Sequence, residues 1–488
     1  MRRTLLSGWR RDWRWRTAPL ALFTALALPN LFGGDWSVDT PRYAAVGLYA
    51  WREGAWWTLA LGDQPYFNKP PLAFWAHGLL LWLLGPSLFV ARLPTLLAGL
   101  GVVACATLTA RTLAGRRAAL LTGLCCAGVV ELFRQVGHIS LDMWLALCLA
   151  WASALLARGA TQQRRAPVAL SGLAVGLGLL VKPFVALGFF PIAAVWLVWT
   201  RRRQLLGPLL AGAALAVAVA APWHVSMLAL HGRAFLDEYV GRQVVGRTLG
   251  EAFRPEPWWW YGAFLLRTYW PWLLPAALGA LAGRAFAASP RRHDAEAWAM
   301  AVLWVGLWLV ALSAAADKRA RYAMLLYPMT SLLAGLWLAR RSPAWLSRGA
   351  GRRVLAPLTL AAPLASAALV VGGLRVHEPP EPHWTEVARF VREHAAEPIW
   401  DGSLDYGDGP RLYLETGVWP RGKVRRPPGA PTDWRRPAPP PGALALFDER
   451  RQPPPPQSTR LLEAGPIVAV RMPAQPMPEE AVPPSPSR

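Results

Sequence analysis

PPLAFWAHGLLLWLL, residues 70–84, decides how the chain is threaded. It is apolar, but it is shorter than the ~20 residues a helix needs to cross the hydrocarbon of a bilayer, and it carries His77. Around it lie longer apolar runs, in a chain of 488 residues of which 54% are hydrophobic. Spans are read at 17–33, 93–111, 118–132, 141–158, 166–181, 183–200, 205–222, 259–283, 297–315, 322–339 and 353–374. A chain so patterned is a polytopic, all-α membrane protein with about 11 transmembrane helices.

The arginines set the direction. The basic start MRRTLLSGWRRDWRWR (1–16) stays in the cytoplasm and sends residues 34–70 outside. The inside loops then hold Arg116 and Arg117, Arg164 and Arg165, Arg201 to Arg203, Arg291 and Arg292, and Arg340, Arg341, Arg352 and Arg353. This agreement requires that 70–84 does not cross, because one added crossing would put every one of these loops outside. The segment is therefore expected to be an interfacial or re-entrant helix, with Pro70 and Pro71 in its first turn, where missing N–H groups cost little. The formal charge of +23 belongs to these loops rather than to one soluble basic face, which argues against nucleic acid as a partner.

The first apolar run is read as a retained span rather than a cleaved signal peptide. Cys105, Cys125, Cys126 and Cys148 fall within spans, without metal-ligand spacing, and are expected to be packing residues. From about Arg375 the composition turns polar: TEVARFVREH reads as an amphipathic helix, and GALALFDE and PIVAVRM as strands. The expected organisation is a basic N-terminus (1–16), a transmembrane domain (17–374) whose first external loop (34–92) holds interfacial helices, a small external α/β domain (375–475) and a disordered tail (476–488). RRPAPPPG and QPPPPQ are loop or polyproline stretches.

The polar residues that this topology leaves outside gather in VDTPRYA (38–44), YFNKPP (66–71), GHISLDM (137–143), VKP (181–183), the loop from His224 to Trp258, and ADKRARY (316–322). Outward positive charge runs against the topological bias, so Lys69, Lys182, Lys318, Arg319 and Arg321 need another reason, and an anion at the outer membrane surface supplies one. Cations at headgroup depth beside an apolar groove suit a phosphate on a long hydrocarbon tail. A sugar on such a carrier departs as the phosphate anion without protonation, so the chemistry needs cations for the leaving charge and a base for the acceptor.

Asp39 is the best-placed base, and equally a helix N-cap before Thr40-Pro41; the two roles can coexist. Asp142 opens a span, where an ionised carboxylate facing lipid would cost about 3 kcal/mol. It is either a site residue or a structural one, capping the span or pairing with Arg134. His138 is read as structural, and His224 is left open between the two.

DTPRYA, FNKPPLAFW, ARLP, LDMWLAL, VKPFVAL, APWHVSM and DKRARYAMLLYP, in that order, resemble the lipid-linked-sugar glycosyltransferases of the GT-C fold, in particular the aminoarabinose lipid A transferase group and, more distantly, the protein O-mannosyltransferases. The resemblance covers roughly residues 15–375. It implies that Asp39 is the catalytic carboxylate, with Asp142 opening the second external loop, that Lys69 contacts the lipid phosphate, and that Lys318 and Arg319 precede the Tyr327-Pro328 turn as further phosphate ligands. Arg42, Tyr43, Tyr66 and Tyr322, beside these, are expected to bind substrate. Two positions depart from the pattern. Asn68 stands where the group usually has a glutamate, a proposed metal ligand, and Thr40 where an acidic residue often follows the aspartate. The stretch 235–247 also lacks the histidine expected of the partner ligand. No firm cofactor is expected, although the resemblance leaves room for a divalent metal; Arg242 and Arg247 are read as supplying the positive charge instead.

The expected function is an inverting glycosyltransferase on the outer face of a bacterial inner membrane, moving a sugar from a polyprenyl-phosphate donor to lipid A, another glycan or a protein. The alternative is a lipid-linked oligosaccharide flippase or transporter, which should show repeat-related broken helices at mid-membrane; no internal repeat is visible.

Overall fold

The computed structural model describes residues 14–32, 39–62, 64–246, 256–287, 292–341, 382–404, 408–421 and 439–474. Most of it is a helical bundle whose two ends are chemically different. Among the described residues, four helices are long and apolar enough to cross a membrane by length and composition: Leu88–Ala127, Leu141–Gln162, and those within Arg203–Gly246 and His293–Ala314. Thr17–Leu31, Arg165–Leu179 and Val185–Trp199 are apolar but shorter. The protein is a multi-pass integral membrane protein. The expected span at 353–374 lies outside the described residues, and so does Arg247.

Helix α1 (Arg14–Ala27) enters the bundle. The two spans expected at 93–111 and 118–132 form one 40-residue helical element, α4 (Leu88–Ala127), broken only at Gly115, whose φ of 89° interrupts the helix. The chain reverses there. A side chain at Gly123 would meet Thr107, and these two residues are equally far from Gly115. Only glycine adopts this positive φ without strain, so a single residue makes a turn that the sequence reading had drawn as a loop. The span expected at 259–283 is interrupted: α10 (Trp260–Thr268) stops and α11 (Leu273–Leu281) begins beyond Pro271, which has no N–H to continue the ladder. The span expected at 205–222 belongs to α9 (Leu206–Leu236), which bends at Gly232, so that Phe235 and Tyr239 fold back onto Trp223.

The segment at 70–84 does not traverse the bundle. Helix α3 (Leu72–Leu84) begins with the Leu72 N–H donating to the Leu180 carbonyl at 3.0 Å, beside Lys69. The chain that follows it places Thr95 against His138, donating to its carbonyl at 2.9 Å, and His138 lines the same cavity as Lys69. Both ends of α3 therefore lie at one end of the bundle, as the arginine distribution requires. Helix α2 (Asp39–Arg52) packs on α3 where Gly47 and Gly78 meet backbone to backbone, with no space for a Cβ on either.

At the opposite end the loops expected to be cytoplasmic come together. Arg202 makes a buried ion pair at 3.0 Å with Glu296 of α13 (Arg292–Ala314), Gln204 donates to Gln163 at 2.8 Å, and Arg340 of α14 (Tyr327–Arg341) pairs with Asp294 at 3.1 Å. Removing one partner of the Arg202–Glu296 pair would strand a buried charge, at a cost of about 3–5 kcal/mol. Reporters fused after Arg203 and after Arg292 are expected to read cytoplasmic, and reporters within 225–258 external; an external reading after Arg203 would overturn the threading.

The C-terminal part is a four-stranded sheet of order β3-β4-β6-β5 with two helices. The expected helix is α15 (Pro382–Glu393), and the expected strands are β4 (Leu444–Asp448) and β6 (Ile467–Arg471). Strands β3 (Ile399–Asp401) and β5 (Thr459–Ala464) and helix α16 (Asp408–Thr416) are additions; β3 pairs parallel with β4, and the other pairs are antiparallel.

Candidate active site

Five sequence-distant segments meet at the end of the bundle that holds α2 and α3. Asp39 stands in the first turn of α2, where the N-terminal dipole favours a carboxylate. Arg42, one turn on, donates to its Oδ1, and Arg321 donates to its Oδ2 at 3.1 Å. Asp142 stands in the first turn of α6 (Leu141–Gln162) and is 3% exposed, so its charge requires partners inside the protein. It has two: Lys182 donates to Oδ1, and the Arg321 Nε lies 3.5 Å from Oδ2. Arg321 thus bridges the two carboxylates.

Asp39, Asp142, Lys182 and Arg321 line a cavity of about 300 Å³ with Lys69, Tyr43, Gln135 and His138, and Arg42 stands behind Asp39. Lys69 is 6% exposed and donates to Gln243 Oε1 at 2.8 Å. The Lys182 ammonium also sits 4.3 Å from the centre of the Tyr322 ring. Arg42, Arg321, Lys182 and Lys69 against Asp39 and Asp142 leave the site net positive. Burial pushes the Asp39 carboxyl up, but Arg42, Arg321 and Arg319 together outweigh it and hold it below its ordinary value. Burial and the nearby Arg92, Arg134 and Arg321 charges push His138 down to about 4, so its ring is neutral at physiological pH.

The structural readings left open in the sequence resolve individually. Asp142 does not cap its helix: Ser140 Oγ accepts from the Met143 N–H at 3.3 Å and is the cap. Nor does it pair with Arg134, which faces Glu131 at 3.8 Å. His224 is held within the fold, between the Ala220 carbonyl at 2.8 Å and the Tyr239 hydroxyl at 2.7 Å.

Other expected site residues stand away from the cavity lining. Lys318 donates to the carbonyls of Glu256 and Ala315 at 2.9 and 2.6 Å. Arg319 lies 3.2 Å from Asp317, which also accepts from the Tyr322 hydroxyl. Arg242 pairs with Glu238 at 3.4 Å and is largely exposed. Tyr66 is buried edge-on to Phe74. The cations that join Lys69 in the cavity are Lys182 and Arg321 rather than Lys318, Arg319 and Arg242. Both had been singled out as outward charges, but spacing alone did not show which members of the Lys318–Arg321 cluster turn inward. Gln135 and Gln243 carried no sequence signal.

Asn68 offers an amide, and among the described residues no three His, Cys, Asp or Glu side chains converge. Asp39 and Asp142 are each already engaged by cations, which a metal would have to displace.

The fold can be placed among known proteins. It superposes on ArnT of Cupriavidus metallidurans bound to undecaprenyl phosphate with a TM-score of 0.72, over 95% of this chain and 98% of that one, at 18% identity. It superposes on the oligosaccharyltransferase AglB of Archaeoglobus fulgidus, in complex with an inhibitory peptide and a dolichol-phosphate, with a TM-score of 0.54, over 84% of this chain and 64% of that one, at 13% identity. This is the GT-C fold. The dolichyl-phosphate-mannose-protein mannosyltransferase family matches residues 68–225, a segment holding Lys69, Asp142 and Lys182. The chain is 31% identical to the undecaprenyl phosphate-α-4-amino-4-deoxy-L-arabinose arabinosyl transferase of Pseudomonas paraeruginosa over 328 residues, 64% of this chain and 57% of that protein. It is 31% identical to the transferase 2 of the same description from Pseudomonas fluorescens over 282 residues, 54% of this chain and 50% of that one. The chain spans about half the length of the curated relatives it matches. It is a GT-C-fold protein similar to the aminoarabinose transferases.

Proposed function

We propose that the protein is an inverting membrane glycosyltransferase of a bacterial inner membrane, which takes a sugar from a polyprenyl-phosphate donor at the outer face and delivers it to an envelope acceptor: lipid A, another glycan or a protein. The observation that carries this reading is the cavity itself, where Asp39 and Lys69 of the first external loop meet Asp142, Lys182 and Arg321. A site with two carboxylates and surplus positive charge beside apolar helices suits a phosphate that gains charge as it leaves. It also offers a carboxylate for the attacking hydroxyl.

In this reading the acceptor oxygen attacks the anomeric carbon on the face opposite the phosphate. The C–O bond to the phosphate breaks with its electron pair going to the phosphate oxygen, and the hydroxyl proton passes to Asp39. Because its neighbours hold Asp39 at a low pKa, it is ionised but weakly basic, so proton transfer is late and coupled to departure of the phosphate. Lys69 meets the departing charge. Arg321 and Lys182 fix Asp142, which orients the sugar. The helices α2 and α3 lie along the membrane surface and bring the headgroup end of the donor to the cavity.

Binding of polyprenyl phosphate to the purified protein tests the phosphate assignment. Lys69→Ala is expected to weaken it about 10- to 100-fold, the worth of one charge-assisted hydrogen bond. Lys69→Arg should keep part of the affinity, since charge is retained but the geometry of a point ammonium is not. Unchanged affinity in Lys69→Ala would contradict the assignment. Transfer is expected to survive chelation.

A further inference from the structure

The C-terminal α/β part belongs structurally to the active site's first loop. Helix α16 has two apolar faces. Leu412 enters the core of its own sheet, with Trp384, Val387 and Ile399. Tyr413 and Leu414, one and two residues on and each 3% exposed, enter the core of the membrane bundle instead. The Tyr413 ring meets Tyr49 of α2 with centroids 5.9 Å apart, and the Arg52 guanidinium lies 5.9 Å from the same ring. Trp419, which packs 6.2 Å from Tyr413, covers the turn of the short hairpin β1 (Ala60–Leu61) and β2 (Gln64–Pro65). Gly62 in that turn has φ +63°, and a Cβ on it would fall on the Trp419 indole, so glycine is required there both for conformation and for space.

This surface therefore touches both arms that carry the cavity's first-loop residues. Asp39 stands at the start of the helix that Tyr413 packs against. Lys69 follows the hairpin that Trp419 covers, whose base is closed by the Tyr66 N–H donating to the Leu59 carbonyl at 2.7 Å. We propose that the α16–Trp419 surface is a clamp that fixes α2 and the 60–65 hairpin relative to each other and so sets the placement of Asp39 against Lys69; Tyr413 and Trp419 are positioning residues. The catalytic consequence rests on the functional reading above, whereas the mechanical one does not. Misplacement of a reacting group by about 1 Å costs up to about 100-fold in rate, so a clamp remote from the cavity has a readable effect.

Two measurements on the full chain in lipid nanodiscs test this. Tyr413→Ala is expected to raise amide hydrogen exchange at least about tenfold across 39–52 and 59–66, while α6 and the C-terminal sheet keep parent protection. It should lower kcat by about tenfold or more with the KM for the polyprenyl-phosphate donor within about twofold. Tyr413→Phe, which keeps the ring, should restore both. Should Tyr413→Ala disturb the sheet, Tyr49→Ala removes the same ring contact from the bundle side and is expected to give the same result. Unchanged exchange across 39–66 would overturn the clamp, and so would raised exchange with kcat at the parent level. The exchange measurement needs no donor, so it decides the clamp even if the parent shows no transfer.

Discussion

Asp39→Asn is expected to abolish transfer, lowering the rate at least 10²- to 10⁴-fold, the usual worth of a positioned general base. The substitution keeps shape, and its single amide oxygen can still accept from one of Arg42 and Arg321, so the loss should come without loss of folding or membrane insertion. Asparagine also preserves a serviceable helix start, which separates the two roles left open for this residue: a cap survives the change and a base does not. Donor binding should remain within a few-fold of the parent, because Lys69, Lys182 and Arg321 are untouched. Full activity in Asp39→Asn would reduce the residue to a structural one.

The second large effect belongs to Arg321, whose guanidinium touches both carboxylates. Its removal should lower the rate at neutral pH on the order of 10²-fold, as loss of a preorganised charge does, and it should also move the pH profile. In the parent, Asp39 is held below its ordinary value and stays ionised, so the acid limb of the rate lies below that expected for an ordinary carboxylate. In Arg321→Ala, burial, which pushes the carboxyl up, is opposed by less positive charge. The Asp39 pKa then rises, and the proton-accepting form is lost at a higher pH than in the parent. The acid limb should therefore shift upward, and Arg321→Lys should shift it less. A profile that keeps its acid limb while the rate falls would mean that Arg321 acts on something other than Asp39.

The sequence made Asp39, Lys69 and Asp142 legible for one physical reason: charge next to long apolar segments is costly, so each such residue asks for a partner. The same reasoning selected Lys182 and Arg321 as outward cations but could not distinguish them from Lys318 and Arg319, because a charge bias says which side a residue lies on and nothing about where its side chain turns. Lys318 turns to two backbone carbonyls, a destination without a sequence signature. The arginine loops led to a threading in which 70–84 does not cross, which the reporter fusions test; the structure gathers Arg202, Gln204 and Arg340 at the end of the bundle away from the cavity. The Gly115 reversal was not readable as a one-residue turn, since a glycine inside an apolar run has no periodic mark. In the C-terminal part β4 and β6 were readable as buried apolar runs, whereas β5 exposes most of its side chains and β3 is three residues long, too short for a pattern.

The central claim is that the sugar leaves its polyprenyl carrier at this site. The most direct measurement follows a polyprenyl-phosphate-linked sugar with the purified protein in vesicles containing envelope acceptor, by mass spectrometry of donor and acceptor together. Sugar-free polyprenyl phosphate should appear in step with an acceptor heavier by one sugar residue, and neither should form with Asp39→Asn. Donor that stays intact while moving from one leaflet to the other would contradict the transferase reading and identify a flippase.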